Sequence, residues 1–284
     1  MQKKKRRAAT ISVLPMYIFT IAFVLGPLIY MLVLSFFTKS DQWGATADLT
    51  LNNYARIAEP LYLKTFWNST KLAFISTVAV LLIGYPFGYF MSRLTKKWRT
   101  LCMLLLIIPF WTNALMRLYG WIIFFRANGV LDTFLMWLGV TSQPLKLLYT
   151  YPSVVTGMVY VLVPFMIYAV YSSAEKIDWH LVEAARDLGA TRFTAFRTVT
   201  LPLTLPGVFS GVVLTFVPSM GLYFIADILG GNKTILVGNL IYDQLMKVRD
   251  WPFAAAISVA LLLLTSVFLL AYRLITKSDL EGLV

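Results

Sequence analysis

Cysteine is almost missing from this 284-residue sequence: Cys102 stands alone, so the chain can build neither a disulfide framework nor a thiolate metal cluster. Histidine is as scarce. His180 is the only one, it has no second ligand in sight, and a solvated loop position is the expectation. No Ser-His-Asp or paired-carboxylate arrangement is apparent, so the chain reads as no enzyme, with no cofactor or metal of its own. Charge is thin and uneven: 13% of residues are charged, with 25 Lys or Arg against 13 Asp or Glu and a net charge of +12. A soluble domain needs a polar shell that this composition does not supply. So apolar a chain could not present a basic face to nucleic acid and stay in solution, and the positive charge is read as setting membrane orientation.

What is abundant is apolar surface, 59% of residues with a mean hydropathy of +0.74. Apolar runs at about 11–37, 66–92, 101–125, 153–172, 206–229 and 253–275 each come near the roughly 20 residues that cross a hydrocarbon core as a helix. The expectation is an all-α polytopic protein of six transmembrane helices, one permease-like membrane domain over 1–284 embedded in a lipid bilayer. The first run follows Lys3–Arg7 and is too long for a signal-peptide core, with no small-x-small cleavage site. It reads as an uncleaved first span. Most of the basic residues, including Arg93, Lys96, Lys97, Arg99, Lys176, Arg186, Arg192, Arg197, Arg273 and Lys277, fall in segments on the same side as that amino end. The bias fits the positive-inside rule and predicts both termini, and the 173–205 segment, in the cytoplasm. Three segments on the other side, 39–65, 126–152 and 230–252, carry amphipathic stretches. They read either as a platform for a soluble binding protein or as plain interfacial helices.

The 173–205 segment is polar but regular. Leu181, Ala184, Ala185 and Leu188 recur at helical spacing, so a helix is predicted from about Trp179 to Leu188. Asp178 is placed to cap its start and Gly189 to end it in the left-handed conformation. Thr191 then caps a second short helix, expected to stop before Pro202. The order Glu183-Ala184-Ala185, three residues, Gly189, nine residues, Val199, one residue, Leu201-Pro202 resembles the cytoplasmic loop of ATP-binding-cassette importer permeases. Val199 stands where that pattern has isoleucine. The resemblance implies that this helical hairpin seats in a groove on a partner ATPase and transmits its motion, with Glu183, Ala184, Ala185, Gly189, Leu201 and Pro202 as the coupling residues. ATP and Mg would belong to the partner. Gly230-Gly231-Asn232-Lys233-Thr234 lacks the spacing and preceding strand of a phosphate loop.

Polar groups inside hydrocarbon call for a reason. In the fifth run, Gly207, Gly211 and Thr215 recur at four-residue steps, followed by Ser219, Tyr223 and Asp227. A single helix would put the first three on one face and the last three on a neighbouring one. A carboxylate with a tyrosine one turn below suits an organic cation; alternatively, Asp227 lies among headgroups or pairs with Arg117. In the third run Pro109 predicts a kink, with Trp111 and Asn113 on opposite sides of a regular helix. Arg117 is expected either to be neutralised by a carboxylate such as Asp227 or to turn to the outer interface. Tyr160 is the best placed of the fourth run's aromatic stripe to meet a substrate. Trp111, Asn113, Tyr160, Tyr223 and Asp227 are therefore the candidate substrate-pathway residues.

Longer stretches, 105–113, Arg117-Leu118-Tyr119-Gly120, 220–231, 235–239 and Arg249-Asp250-Trp251-Pro252-Phe253, resemble a spermidine/putrescine importer permease, the first of that system's two permease subunits. The likeness runs from Ile11 to Lys277. It implies a bacterial inner-membrane importer working with a second homologous permease subunit, two ATP-binding-cassette ATPase subunits and an extracytoplasmic polyamine-binding protein. Importers of another small solute (phosphonate, sulfate, iron, a vitamin) are the alternative, suited by Arg117, Lys233 and Arg249. A secondary carrier is the further alternative and should show internal inverted repeats; no convincing repeat is present.

Overall fold

The computed structural model describes residues 14–40, 44–231 and 233–276. Lys3–Arg7, Lys277 and the first residues of the first predicted span lie outside them. Outside its loops the described chain is helical but for one two-stranded ribbon, and five helices are long and apolar enough to cross a membrane. In chain order these are α1 (Leu14–Leu34), α3 (Pro60–Arg93), α7 (Tyr151–Ala174), a long helix Arg192–Gly221, and the last helix, apolar over Trp251–Tyr272. Shorter elements lie between them: β1 (Phe37–Lys39), β2 (Ala45–Leu49), α2 (Asn52–Ile57), α4 (Lys96–Ile107), α5 (Ala114–Phe125), α6 (Val130–Trp137) and α8 (Trp179–Asp187). The long helix is composed of α9 (Arg192–Ala195), a π-helical turn Phe196–Thr200 and α10 (Leu201–Gly221); α11 (Tyr223–Gly230), α12 (Val237–Met246) and α13 (Trp251–Thr276) complete the chain.

Two of the predicted spans are not single helices. In the third, α4 runs into a 3-10 turn at Ile108–Trp111, and the axis then swings by 94° into the next helical pair. Pro109 lacks the N–H that would continue the ladder, and the Asn113 side chain accepts from the Leu115 N–H at 2.8 Å, starting α5 afresh. In the fifth, the helix breaks at Leu222 (φ −76°, ψ 61°), so Tyr223 and Asp227 sit on the separate α11. The single helical wheel drawn through Gly207 and Asp227 is thereby corrected.

The chain divides into two compact units. The first comprises residues up to Leu63 together with Leu240–Ser266. There the antiparallel ribbon β1–β2 takes up the front of the 39–65 segment, and the amphipathic stretch around Leu51–Leu61 is helical, in α2 and the first turn of α3. Buried Asn53, in α2, donates to the carbonyls of Ser35 (3.0 Å) and Phe37 (2.9 Å), which ties the ribbon's first strand to that helix. Arg56 pairs with Asp250 at 2.9 Å and lies 3.8 Å above the Phe253 ring.

The second unit, Lys64–Asn239 with the residues from Val267 on, is built on the α7–α10 pair. Val154, Met158, Leu162, Met166 and Val170 of α7 are fully or almost fully buried. Glycines allow the close approach: a Cβ at Gly207 of α10 would lie 2.5 Å from the Ala169 carbonyl oxygen, and one at Gly88 of α3 would lie 2.7 Å from that of Ile167. Small residues that let backbones touch are the usual packing device where lipid removes the hydrophobic drive between helices.

Candidate functional site

The 173–205 hairpin is assembled from local cap chemistry. The Asp178 carboxylate accepts from the His180 N–H at 3.1 Å and starts α8. The helix closes with Ala190 N–H donating to Ala185 O (3.0 Å) and Gly189 N–H to Arg186 O (2.9 Å). This is a Schellman ending, and it requires the left-handed φ of +92° at Gly189. The Thr191 hydroxyl accepts from the Thr194 N–H at 3.2 Å and starts α9. The second helix does not stop before Pro202, as the sequence suggested. Through the π turn the Leu201 N–H reaches back to Phe196 O, a five-residue step, and Pro202, within the first turn of α10, enters where the ladder changes register. Its missing donor therefore costs no regular helical bond.

Among the described residues, most of the face of α8 predicted to be apolar is left uncovered. Leu188 is 90% exposed, Leu181 is 50% exposed and Phe193 of α9 is 71% exposed; Ala184 and Glu183 are also exposed and Ala185 is half-buried. His180 belongs to this helix rather than a loop, with Nδ1 3.3 Å from the Glu183 carboxylate. Leu201 is half-buried and Pro202 exposed. The hairpin's base is held firmly. The Arg93 guanidinium lies 4.0 Å above the Trp179 ring, and Trp179 meets Tyr89 edge-on at 6.1 Å. Phe196 packs against both Tyr89 (6.0 Å) and Tyr85 (6.1 Å), while Tyr85 shares a 3.0 Å hydrogen bond with Thr204. Ser92, Arg93, Trp179, Val182, Glu183 and Arg186 enclose a cleft of about 450 Å3 beside it.

The five pathway candidates do not converge on one cavity. Asp227 is exposed in a cleft of about 470 Å3 that it shares with Tyr119, Ile122, Tyr149, Ile228, Gly231 and Lys233. Gly231 ends α11 in the left-handed conformation, and Tyr149, itself at φ +64°, donates its N–H to Leu229 O at 3.0 Å. Tyr119 entered the sequence reading only within the 117–120 resemblance and Tyr149 not at all; the positive φ of Tyr149, which would have signalled it, is a property of the fold. Tyr223 is half-buried on α11, outside that cleft. Trp111 is 79% exposed, and Asn113 is occupied as the cap of α5.

Tyr160 belongs to a different group. The Arg117 guanidinium lies 5.6 Å from the Tyr160 ring centre and 5.1 Å from that of Phe110. Trp121 backs Tyr160 edge-on at 5.5 Å. Among the described residues no carboxylate pairs with Arg117, so its compensation comes from aromatic faces rather than from Asp227. The described residues hold no His, Cys, Asp or Glu cluster able to bind a metal ion.

Long apolar helices around a glycine-lined core, with one capped hairpin left bare between two of them, define a multi-pass membrane protein. The chain belongs to the family described as binding-protein-dependent transport system inner membrane component, whose model matches residues 83–278. It is 43% identical over 261 residues to the spermidine/putrescine transport system permease protein PotB of Escherichia coli (strain K12), covering 90% of this chain and 95% of that one. The protein of the same name from Haemophilus influenzae is 42% identical, with 92% of each chain covered. Among solved structures, a bacterial ABC transporter involved in the import of the acidic polysaccharide alginate superposes with a TM-score of 0.76, 16% identity and 96% coverage of both chains. The MetNI methionine ABC transporter superposes at 0.57, with 20% identity and coverage of 78% of this chain and 98% of that one.

Proposed function

We propose that this chain is one permease subunit of an ATP-driven polyamine importer. It pairs with a second, related permease, two ATPase subunits that carry the ATP and Mg, and an extracytoplasmic polyamine-binding protein. Both termini and the 173–205 hairpin face the cytoplasm. Nucleotide binding closes the ATPases, the hairpin moves with them as a lever, and the spans reorient around the permease–permease interface. The observation that carries this reading is the bare face of Leu181, Ala184 and Leu188 on a hairpin clamped at its base: a knob built to be gripped and to transmit force. The 43% identity to a spermidine/putrescine permease over most of both chains supports the cargo. A carboxylate flanked by Tyr119 and Tyr149 is chemically apt for an ammonium.

The test is uptake of labelled spermidine by the four-component complex in proteoliposomes. Uptake should require ATP and the loaded binding protein, and excess unlabelled spermidine but not sulfate should suppress it. Glu183→Ala should abolish it while the chain still reaches the membrane, and Asp227→Asn should lower it roughly tenfold. Sulfate competition would overturn the cargo, and full uptake by Glu183→Ala would overturn the lever.

A further inference from the structure

The Arg117 group is a cation site already filled. Its guanidinium lies within the roughly 6 Å over which a ring face attracts a positive charge, and it does so for two rings at once, Phe110 and Tyr160. Both rings are held from behind, Tyr160 by Trp121 and Phe110 by Phe165, edge-on at 5.9 Å. Arginine at a permanent site usually spends its donors on a carboxylate fork. Here none is supplied among the described residues, and the Arg117 Nε is buried without a hydrogen-bond partner. An unmet buried donor is costly, so the occupied arrangement is held at less than its full worth. A ring face responds to positive charge rather than to guanidinium shape, so an alkylammonium fits the same place.

The location adds a second argument. Phe110 lies on the 3-10 turn at the end of one helical segment, and Arg117 lies one turn into the next, across the 94° break. Irregular backbone within an apolar span is tolerated where it is buried in protein or lines a watery path. A change in the break angle moves Arg117 relative to Phe110 and leaves Tyr160 fixed on α7.

We propose that Phe110 and Tyr160 form a box for one ammonium group of the cargo, and that Arg117 is its tethered competitor, displaced as the cargo passes. This rests on the polyamine reading above. Two cations cannot share the box, so entry and Arg117 withdrawal are one event. A neutral solute offers the rings nothing in exchange for the departing guanidinium, which makes Arg117 a specificity residue as well as a gate.

The experiment measures equilibrium binding of radiolabelled spermidine to the purified permease–ATPase complex without its binding protein. Arg117→Met should bind roughly tenfold more tightly than wild type, and Arg117→Lys, which keeps a competing cation, should stay near wild type. Removing a positive charge could raise cation affinity without any box, so Tyr160→Leu and Phe110→Leu are each added to Arg117→Met and should take most of the gain away. An unchanged affinity in Arg117→Met, or a gain that survives both ring deletions, overturns the proposal. If the wild-type importer takes up no spermidine, the cargo reading falls instead. The same variants probed with tetramethylammonium then decide the box by itself, upheld by the same pattern of gain and loss and overturned by its absence.

Discussion

The Arg93 guanidinium stacks on the Trp179 ring, and this contact joins the last turn of α3 to the first turn of α8. Tyr89, Phe196 and Tyr85 continue it into the π turn and α10. The hairpin is thus braced at its root by two helices while its tip stays bare, as a lever requires.

Trp179→Ala should therefore loosen the hairpin without unfolding the membrane core, by about 1–2 kcal/mol from the lost stacking and cation contacts. Amide exchange across Trp179–Asp187 should quicken, and stimulation of ATP hydrolysis by loaded binding protein should fall several-fold. Unchanged exchange would mean that the brace carries no strain.

Gly189 offers a purely backbone test. It has φ +92° and nothing within 4 Å of where a Cβ would stand, so Gly189→Ala should cost about 1–2 kcal/mol through left-handed strain alone. Gly189→Asn should cost less, because asparagine visits that region more readily. Spermidine uptake of the two variants, normalised to membrane level, should rank in that order.

Gly207 tests packing. Its added Cβ would meet the Ala169 carbonyl, part of the α7 backbone, which cannot rotate aside, whereas a Cβ at Gly120 meets nothing within 4 Å. Gly207→Ala should lower the melting temperature of the detergent-solubilised complex by several degrees, an overpacking cost of about 1–3 kcal/mol. Gly120→Ala should leave it unchanged.

Asp250 holds the first unit at two points, pairing with Arg56 and accepting from the Phe253 N–H at 3.1 Å. Asp250→Ala should destabilise that unit by about 1–3 kcal/mol, discounted because the Arg56 side chain remains 32% exposed. Burial works against the Arg56 charge, but the hydrogen bond and charge of Asp250, with help from Tyr62, outweigh it and hold the guanidinium above its ordinary pKa. A raised folded-state value gives stability that is complete below the unfolded value and lost only as pH climbs through the higher one. The Arg56 contribution should therefore be flat from neutral to mildly alkaline pH in thermal melts.

The hairpin's caps could be read from the sequence because cap chemistry is local: Asp178, Gly189 and Thr191 act on backbone within a few residues of themselves. The apolar runs were legible for the same reason. Continuity between them was not. Pro202 sits inside a helix because the π turn before it shifts the ladder, and Asn113 restarts a helix beyond the Pro109 break. The aromatic brace draws Tyr85, Tyr89, Trp179 and Phe196 from separate segments, so no spacing rule could assemble it. Of the two expectations for Arg117, pairing with Asp227 is not what the described residues show, and its aromatic neighbours Phe110 and Tyr160 come from separate segments that no spacing rule joins.

The π turn at Phe196–Thr200 has a further consequence. A π turn takes up one surplus residue without breaking the helix it lies in, so α9 and α10 stay one continuous rod that joins the hairpin to its span. Removing a single residue there would restore a regular ladder and set Pro202 where a helical bond is due, at a cost of about 3 kcal/mol.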